Sequence, residues 1–431
     1  MSIDSGTVGL QPQPMKKILS WTFYDWANHG FATTVMAAFF PLFYKGYWRP
    51  DVPATQSTFE LGFFNSSAGL VVAILAPILG AIADRGGVKK RFLLFFAAIG
   101  IVASAAMHFV GKGEYQAAGA VYMVCILGYL GANIFSDSML VDMARGRSTD
   151  RISALGFAMG YLGGGLLFAF NVFLTLKPEW FGLHDKVGAV RASFLIVSAW
   201  WFVFTLPLIF NVPEPVVPNR APWRQAIGAG LQQLAETFRH VRALKPVMIF
   251  LLAYWLYIDA VNTIVVMAVD YGKSLGFADD SLIKALLLVQ FVGFPAAILF
   301  GRLGDKIGTR AGIYLGLAVY CFVTFWGAFM HSEKEFYGLA ITIGLVQGGV
   351  QSLSRSFFAR IIPQDKATEF FGFYNMLGRF ATLLGPMLMG VAAKVTGNSR
   401  ASILALSILF LVGGIVLLFV KPNDVHEPVA A

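Results

Sequence analysis

The sequence predicts an all-α membrane protein, with twelve transmembrane helices arranged as two pseudo-symmetric six-helix bundles. Three observations carry this. The chain is 57% hydrophobic and 13% charged over 431 residues, whereas soluble proteins carry roughly 25% charged residues. Its polar residues collect in short bands between apolar runs of about 20 residues, the length that crosses a ~30 Å hydrocarbon layer as a helix. Finally, Gly80-Ala-Ile-Ala-Asp84-Arg85-Gly-Gly87 recurs 221 residues later as Gly301-Arg-Leu-Gly-Asp305-Lys306-Ile-Gly308, in the equivalent place of the second half.

The apolar runs lie near 18–44, 58–82, 90–110, 117–141, 152–175, 191–211, 246–269, 281–300, 311–330, 336–358, 368–393 and 400–420. Residues 1–15 are polar and contain Pro12 and Pro14, so a disordered cytoplasmic tail is expected there. Lys16 and Lys17 before the first run resemble the start of a signal peptide, but the run is too long and holds Asp25 and Asn28, which argues for a retained helix. Residues 16–211 form the first bundle and 246–420 the second, with 421–431 as a second tail. Between the bundles, 212–245 opens with several prolines. It then sets Trp223, Ile227, Leu231, Leu234, Phe238 and Val241 at spacings of three and four, the pattern of an amphipathic helix lying on the membrane surface.

The net charge of +9 is topogenic. Of 33 Lys and Arg, 21 fall in the even-numbered gaps and at the termini and 11 in the odd-numbered gaps, Arg355 being counted with the former and Arg379 lying within a helix. That bias puts both termini in the cytoplasm of a bacterial-type inner membrane and excludes a nucleic-acid partner as its explanation. Cys125 and Cys321 both sit in apolar runs without a CxxC neighbour, so neither a disulfide framework nor a metal site is implied.

Polar groups inside the spans are costly, roughly 2.5–3.5 kcal/mol for an ionised side chain at helix centre, and must face other helices or a wet cavity. Asp259 lies 14 residues after Lys245, about 21 Å along a helix and close to the bilayer midplane. Asn262 follows one turn later on the same face, and Arg379 is also near mid-depth. Asp25 and Asp137 sit nearer the inner surface, and Gln347 and Gln351 lie one turn apart. Tyr24-Asp25-Trp-Ala-Asn28 in the first helix and Tyr257-Ile-Asp259-Ala-Val-Asn262 in the seventh form a second duplicated pattern. Either Asp259 and Arg379 neutralise each other, or each pairs with backbone and water, and so fix packing, or they line a cavity and bind a solute or a proton. In the fifth run Gly156, Gly160 and Gly164 repeat every four residues, a small face suited to close helix approach in lipid.

The hairpin repeat has its own logic. Gly80 and Gly301 allow a helix to approach a neighbour, Asp84 and Asp305 can accept from a helix N-terminus or pair with a cation, and Gly87 and Gly308 permit the reversal. Arg85, Lys89, Lys90 and Arg91 hold the first loop on the inner side, where the second has Lys306. Such latches would stabilise one access state of a duplicated membrane unit, whose commonest use is transport.

These hairpins resemble the loop signatures of the major facilitator superfamily, although Val88 stands where a basic residue is usual. Further segments are similar to a narrower group, the vacuolar-effluxer-like transporters. These are Tyr24–Asn28, Ser153–Gly164, Tyr257–Thr263, Gln347–Ser356, Glu369–Tyr374 and Gly385-Pro386. The resemblance implies the major facilitator fold, a cavity lined by helices one, four, seven and ten, rocking-bundle alternating access, and a link to amino-acid export.

The expected function is therefore secondary transport of a small polar solute by a monomer in a lipid bilayer. An amino acid is the best-fitting solute, the proton the expected coupling ion, and no cofactor is needed. Export of amphipathic compounds or lipids and a non-transporting receptor are the alternatives. An enzyme is disfavoured because HExxH and a Ser–His–Asp set are both missing. Gly272-Lys273-Ser274 lacks the earlier glycine of a phosphate loop, where Met267 stands.

Overall fold

The computed structural model describes residues 12–214, 245–380, 384–396 and 399–420, with isolated positions between 225 and 236. The tails at 1–11 and 421–431, most of the expected surface helix, and the side chain of Arg379 lie outside the described residues. Among the described residues the chain folds into twelve long helices.

In the first half, α1 runs through Met15–Gly30, Phe31–Phe39, Phe40–Phe43 and Tyr44–Trp48. It is followed by α2 (Ala54–Gly86), α3 (Lys89–Ala106), α4 (Tyr115–Ser138), α5 (Thr149–Leu176) and α6 (Lys186–Asn211). The second half holds α7 (Lys245–Ser274), α8 (Asp279–Ile307), α9 (Thr309–Phe329) and α10 (Glu333–Ile361). It closes with α11, described as Ala367–Phe380 and Leu384–Thr396, and α12 (Ser399–Leu418). Nine of the described helices are continuous and apolar enough to cross a bilayer by length and composition. Of the other three, α1 is broken by wide π-type turns at Phe31–Phe39 and Tyr44–Trp48. The expected single run at 368–393 is described as two helical segments.

Helix ends follow local chemistry. Ser148 caps α5 through the Arg151 amide, Asp185 caps α6 through the Gly188 amide, and Ser332 with Glu335 forms a reciprocal capping box on α10. The α2–α3 reversal needs Gly87, which adopts the left-handed conformation at φ 56°. Gly308 takes φ 91° at the matching α8–α9 reversal.

The halves meet mainly along α2 with α11 and α5 with α8, two helix pairs related by the duplication. The small face of α5 receives α1. A methyl group on Gly160 would lie 2.6 Å from the His29 ring, and one on Gly164 would lie 2.9 Å from the Thr33 hydroxyl. The glycine repeat thus sets a close α1–α5 contact that dispersion and shape, rather than water exclusion, must hold in lipid.

Candidate functional site: a polar seal between the halves

With an even number of spans, the start of α1 and the end of α12 share one face of the bundle. On this face the two hairpins cross over to the opposite half. Asp84, at the end of α2, accepts the Thr368 and Glu369 backbone amides at 3.1 and 3.0 Å and the Thr368 hydroxyl at 2.7 Å. It therefore caps the N-terminus of α11, where unpaired amides and the helix dipole favour a negative charge. Lys89 Nζ is 3.3 Å from the same carboxylate and 3.8 Å from Asp142, and it is buried. Gly80 makes this contact possible, because a methyl there would lie 2.6 Å from the Thr368 carbonyl oxygen.

The second hairpin repeats the arrangement in reverse. Asp305, at the end of α8, accepts from the Ser148 hydroxyl at 2.5 Å and pairs with Arg151, both at the N-terminus of α5. Gly301 lies against Ala154 and the Asp150 carbonyl of the same helix. Each half thus sends a hairpin carboxylate to the start of a fifth-position helix in the other half. Arg85 is exposed, and so is Lys306; the cation that closes the first latch is Lys89.

Behind the hairpins lie two buried clusters. Asp150 is fully buried and accepts from Ser356 at 2.5 Å, from Thr309 at 2.8 Å, and from Arg360 at 2.7 Å. Deeper in, Arg355 of α10 enters the first half. Its Nη1 is 2.9 Å from Asp137 and 3.7 Å from Asp25, while Nε and Nη2 donate to the Ser153 hydroxyl and carbonyl at 3.0 and 2.8 Å. Asn375 of α11 donates to the other Asp137 oxygen at 3.0 Å. The guanidinium also stacks over Phe157, 4.4 Å from the ring centre.

Arg355 corrects the charge count made from sequence. It was assigned to the inner flank, yet it is only 3% exposed. Its carboxylate partners balance it more than once over, so it never needs the interface. The signal was present, since Arg355 falls within the apolar run 336–358. Asp150 was missed for the opposite reason, because it sits beside a helix start and reads as an ordinary capping acid.

At mid-depth the contacts across the halves are neutral. Tyr161 donates to Gln351 at 3.2 Å, and Gln290 donates to Thr33 at 2.9 Å. Asn28 donates to Asn133 at 2.6 Å within the first half. Gln347 is buried and its amide oxygen has no partner. All the polar contacts described across the halves thus lie at mid-depth or on the sealed face.

Asp259 finds backbone partners. It is fully buried and accepts the Leu384 and Gly385 amides at 2.9 and 2.8 Å and the Thr263 hydroxyl at 3.2 Å. It caps the second segment of α11 inside its own half. Asn262 donates to the Gly378 carbonyl at 3.4 Å. The proposed partner Arg379 has its side chain outside the described residues. Further out in the same half, an apolar cavity of ≈ 80 Å³ is lined by residues including Ile264, Tyr271, Val323, Phe336 and Met389.

The seal depends on a glycine that composition alone would assign to packing. A methyl on Gly156 would lie 2.3 Å from Asp25 and 2.8 Å from Arg355 Nη2. Gly156→Ala is expected to lower the melting temperature of the detergent-solubilised protein, corresponding to about 1–3 kcal/mol of overpacking. This should outweigh the gain in helix propensity, up to ~1 kcal/mol. An unchanged or higher melting temperature would mean that the cluster is loose.

Two six-helix halves, joined by reciprocal latches on one face and by neutral polar contacts at mid-depth, define a membrane transporter of the major facilitator superfamily. Comparison with known proteins agrees. The fold is similar to the proton:xylose symporter XylE (TM-score 0.73, 13% identity, 94% of this chain and 96% of that one). It is also similar to the human organic anion transporter MFSD10 (TM-score 0.70, 15% identity, 94% and 100%). In sequence the chain is 37% identical to the uncharacterized MFS-type transporter YxiO of Bacillus subtilis, over 95% of this chain and 96% of the relative. It is 25% identical to autophagy-related protein 22 of Saccharomyces cerevisiae, over 83% and 76%. The model of the family described as vacuole effluxer Atg22 like matches residues 55–149 and 142–426. The chain belongs to this family, whose matched relatives are transporters rather than enzymes.

Proposed function

We propose that the protein moves a small polar solute, an amino acid or a close relative of one, by proton-linked alternating access. The transporting units are residues 16–211 and 246–420, with 212–245 joining them. The protein acts as a monomer in a bacterial-type inner membrane, with both termini and the sealed face in the cytoplasm. The observation that carries this reading is the paired seal: Asp84 on α11 and Asp305 on α5 close one face through contacts that water can replace. Opening that face would expose the mid-depth polar groups, Asn28, Asn262, Gln347 and Gln351, whose amides suit a solute rich in donors and acceptors. Asp259 is the candidate for a substrate ammonium and Arg379 for a substrate carboxylate.

Counterflow of labelled amino acids in proteoliposomes tests the proposal. Asp259→Asn and Arg379→Ala should each reduce exchange at least tenfold, the effect of about 1.4 kcal/mol. If both variants transport normally, these two residues do not hold the solute.

The apolar cavity beside α7 and α10 favours a second reading, export of an amphipathic compound or lipid. A thermal-shift comparison separates the two, since a bound ligand stabilises the native state by mass action. Stabilisation by amino acids supports the first reading, and stabilisation by lipids alone supports the second.

A further inference from the structure

Arg355 meets two carboxylates. We propose that the sealed state holds one proton on Asp25, and that this proton leaves when the seal opens and Arg355 withdraws. The inference deepens the proton-linked reading above by assigning the proton to a residue, and it rests on that reading.

The argument is one of valence. Asp137 is fully engaged, with one oxygen taking Arg355 Nη1 and the other taking Asn375. Arg355 directs its other donors to Ser153. Asp25 is left 3.7 Å from Nη1, and its Oδ2 is buried with no hydrogen-bond partner. An ionised carboxylate oxygen sealed from water without a donor is strongly disfavoured, and a second negative charge beside Asp137 adds to the cost. One proton on Asp25 removes both problems, leaving a neutral acid beside a matched Arg355–Asp137 pair.

The groups around Asp25 are few. On α1, His29 Nδ1 sits 2.9 Å from the Asp25 carbonyl and 3.1 Å from Asn28 Oδ1, and Tyr24 adjoins in sequence. From α4 comes Asp137, from α5 Ser153 and Gly156, and from α10 Arg355. From α11 come Asn375 and Tyr374, the latter acting on Arg355. Of these, Arg355 alone is a fixed cation. It comes from the second half, so separating the halves removes it and admits water. The open state then stabilises both carboxylates as ions by hydration.

The direction of the pH effect follows from linkage. The sealed state binds one more proton than the open state, so sealing is favoured as pH falls and opening as pH rises. Because the two acids interact, the response belongs to the pair and need not match the titration of an isolated carboxyl group.

The test needs no known solute. Spin labels on Lys16→Cys and Asp365→Cys, both exposed positions on the sealed face in opposite halves, report its width. They are placed in protein with Cys125 and Cys321 replaced by Ala and reconstituted in vesicles. The distance should lengthen from acid to alkaline pH in otherwise wild-type protein. With Asp25→Asn it should stay short across the range. Asp25→Ser, smaller and also neutral, serves if the Asn variant does not fold. A pH-independent distance in the wild-type background overturns the inference, as does a full response in the Asp25 variants, which would assign the proton elsewhere.

Transport separates this inference from the function proposed above. Amino-acid counterflow that fails while the labels still respond removes the solute assignment but not the proton site. Solute accumulation driven by a pH gradient that persists in Asp25→Asn removes the proton site but not the transport reading.

Discussion

Arg355→Ala is expected to break the seal. The substitution leaves Asp137 and Asp25 facing each other without a cation, and it removes both donors to Ser153. Removing one partner from a buried ion pair costs about 3–5 kcal/mol, because the remaining charge stays desolvated. The protein can escape that cost by opening the sealed face and hydrating both acids. The sealed-to-open ratio should therefore fall by roughly two to four orders of magnitude, each tenfold step being about 1.4 kcal/mol. The Lys16–Asp365 label distance should become long at neutral and alkaline pH. Arg355→Lys should restore little, since one ammonium cannot reproduce the fork that spans Asp137 and Ser153. A short distance in Arg355→Ala would show that the hairpin latches hold the face shut by themselves.

Gly80→Val is the second substitution with a large expected effect. A side chain at Gly80 meets the Thr368 carbonyl oxygen, the Thr368 carbonyl carbon and the Glu369 nitrogen at 2.6, 2.7 and 2.8 Å. These are backbone atoms at the start of α11 and cannot rotate away, so α2 and α11 must separate. Separation also strips Asp84 of the two amides it accepts. Overpacking of about 1–3 kcal/mol combines here with the loss of charge-assisted hydrogen bonds, each worth about 1.5–3 kcal/mol. The same change at Gly301 should be milder. Gly301 has one contact under 3 Å where Gly80 has three, the Ala154 Cβ at 2.5 Å, which is as fixed as the backbone, and the Asp150 carbonyl oxygen and Arg151 Cα lie at 3.2 and 3.3 Å. Measuring label distance and melting temperature for the pair checks the ranking. Equal effects would mean that the two latches carry equal weight.

The latches show how much of the site could be read in advance. The hairpin repeat identified Asp84 and Asp305 as acids able to cap a helix, and Gly80 as a point of close approach. Those inferences follow from residue types and spacing alone. What spacing could not supply was the partner, since α11 begins 280 residues after Gly87 and α5 begins 156 residues before Asp305. Lys89 was read as one of several topogenic cations, and only its burial against Asp84 distinguishes it from Arg85.

The duplicated Asp-x-x-Asn pattern is a stricter case. In sequence, Asp25 and Asp259 are alike. In the fold, Asp25 faces the other half and its guanidinium, whereas Asp259 caps a helix segment within its own half. Pseudo-symmetry of sequence thus does not extend to equal roles, because each acid answers to whichever neighbour packing brings beside it. Gly156 follows the same rule, being one step of a glycine repeat in sequence and the floor of the charge cluster in space.

Composition and periodicity by themselves determined that this chain crosses a bilayer, that it does so in two related halves, and that its polar hairpins face one side. Those properties depend on the cost of exposing backbone and charge to hydrocarbon, a cost that acts on each segment independently of the others. Which acids share Arg355, which face is sealed, and which carboxylate is left without a donor were decided by tertiary structure alone. These are contacts between helices far apart in sequence, and their energies exist only once two halves have been brought within a few ångströms.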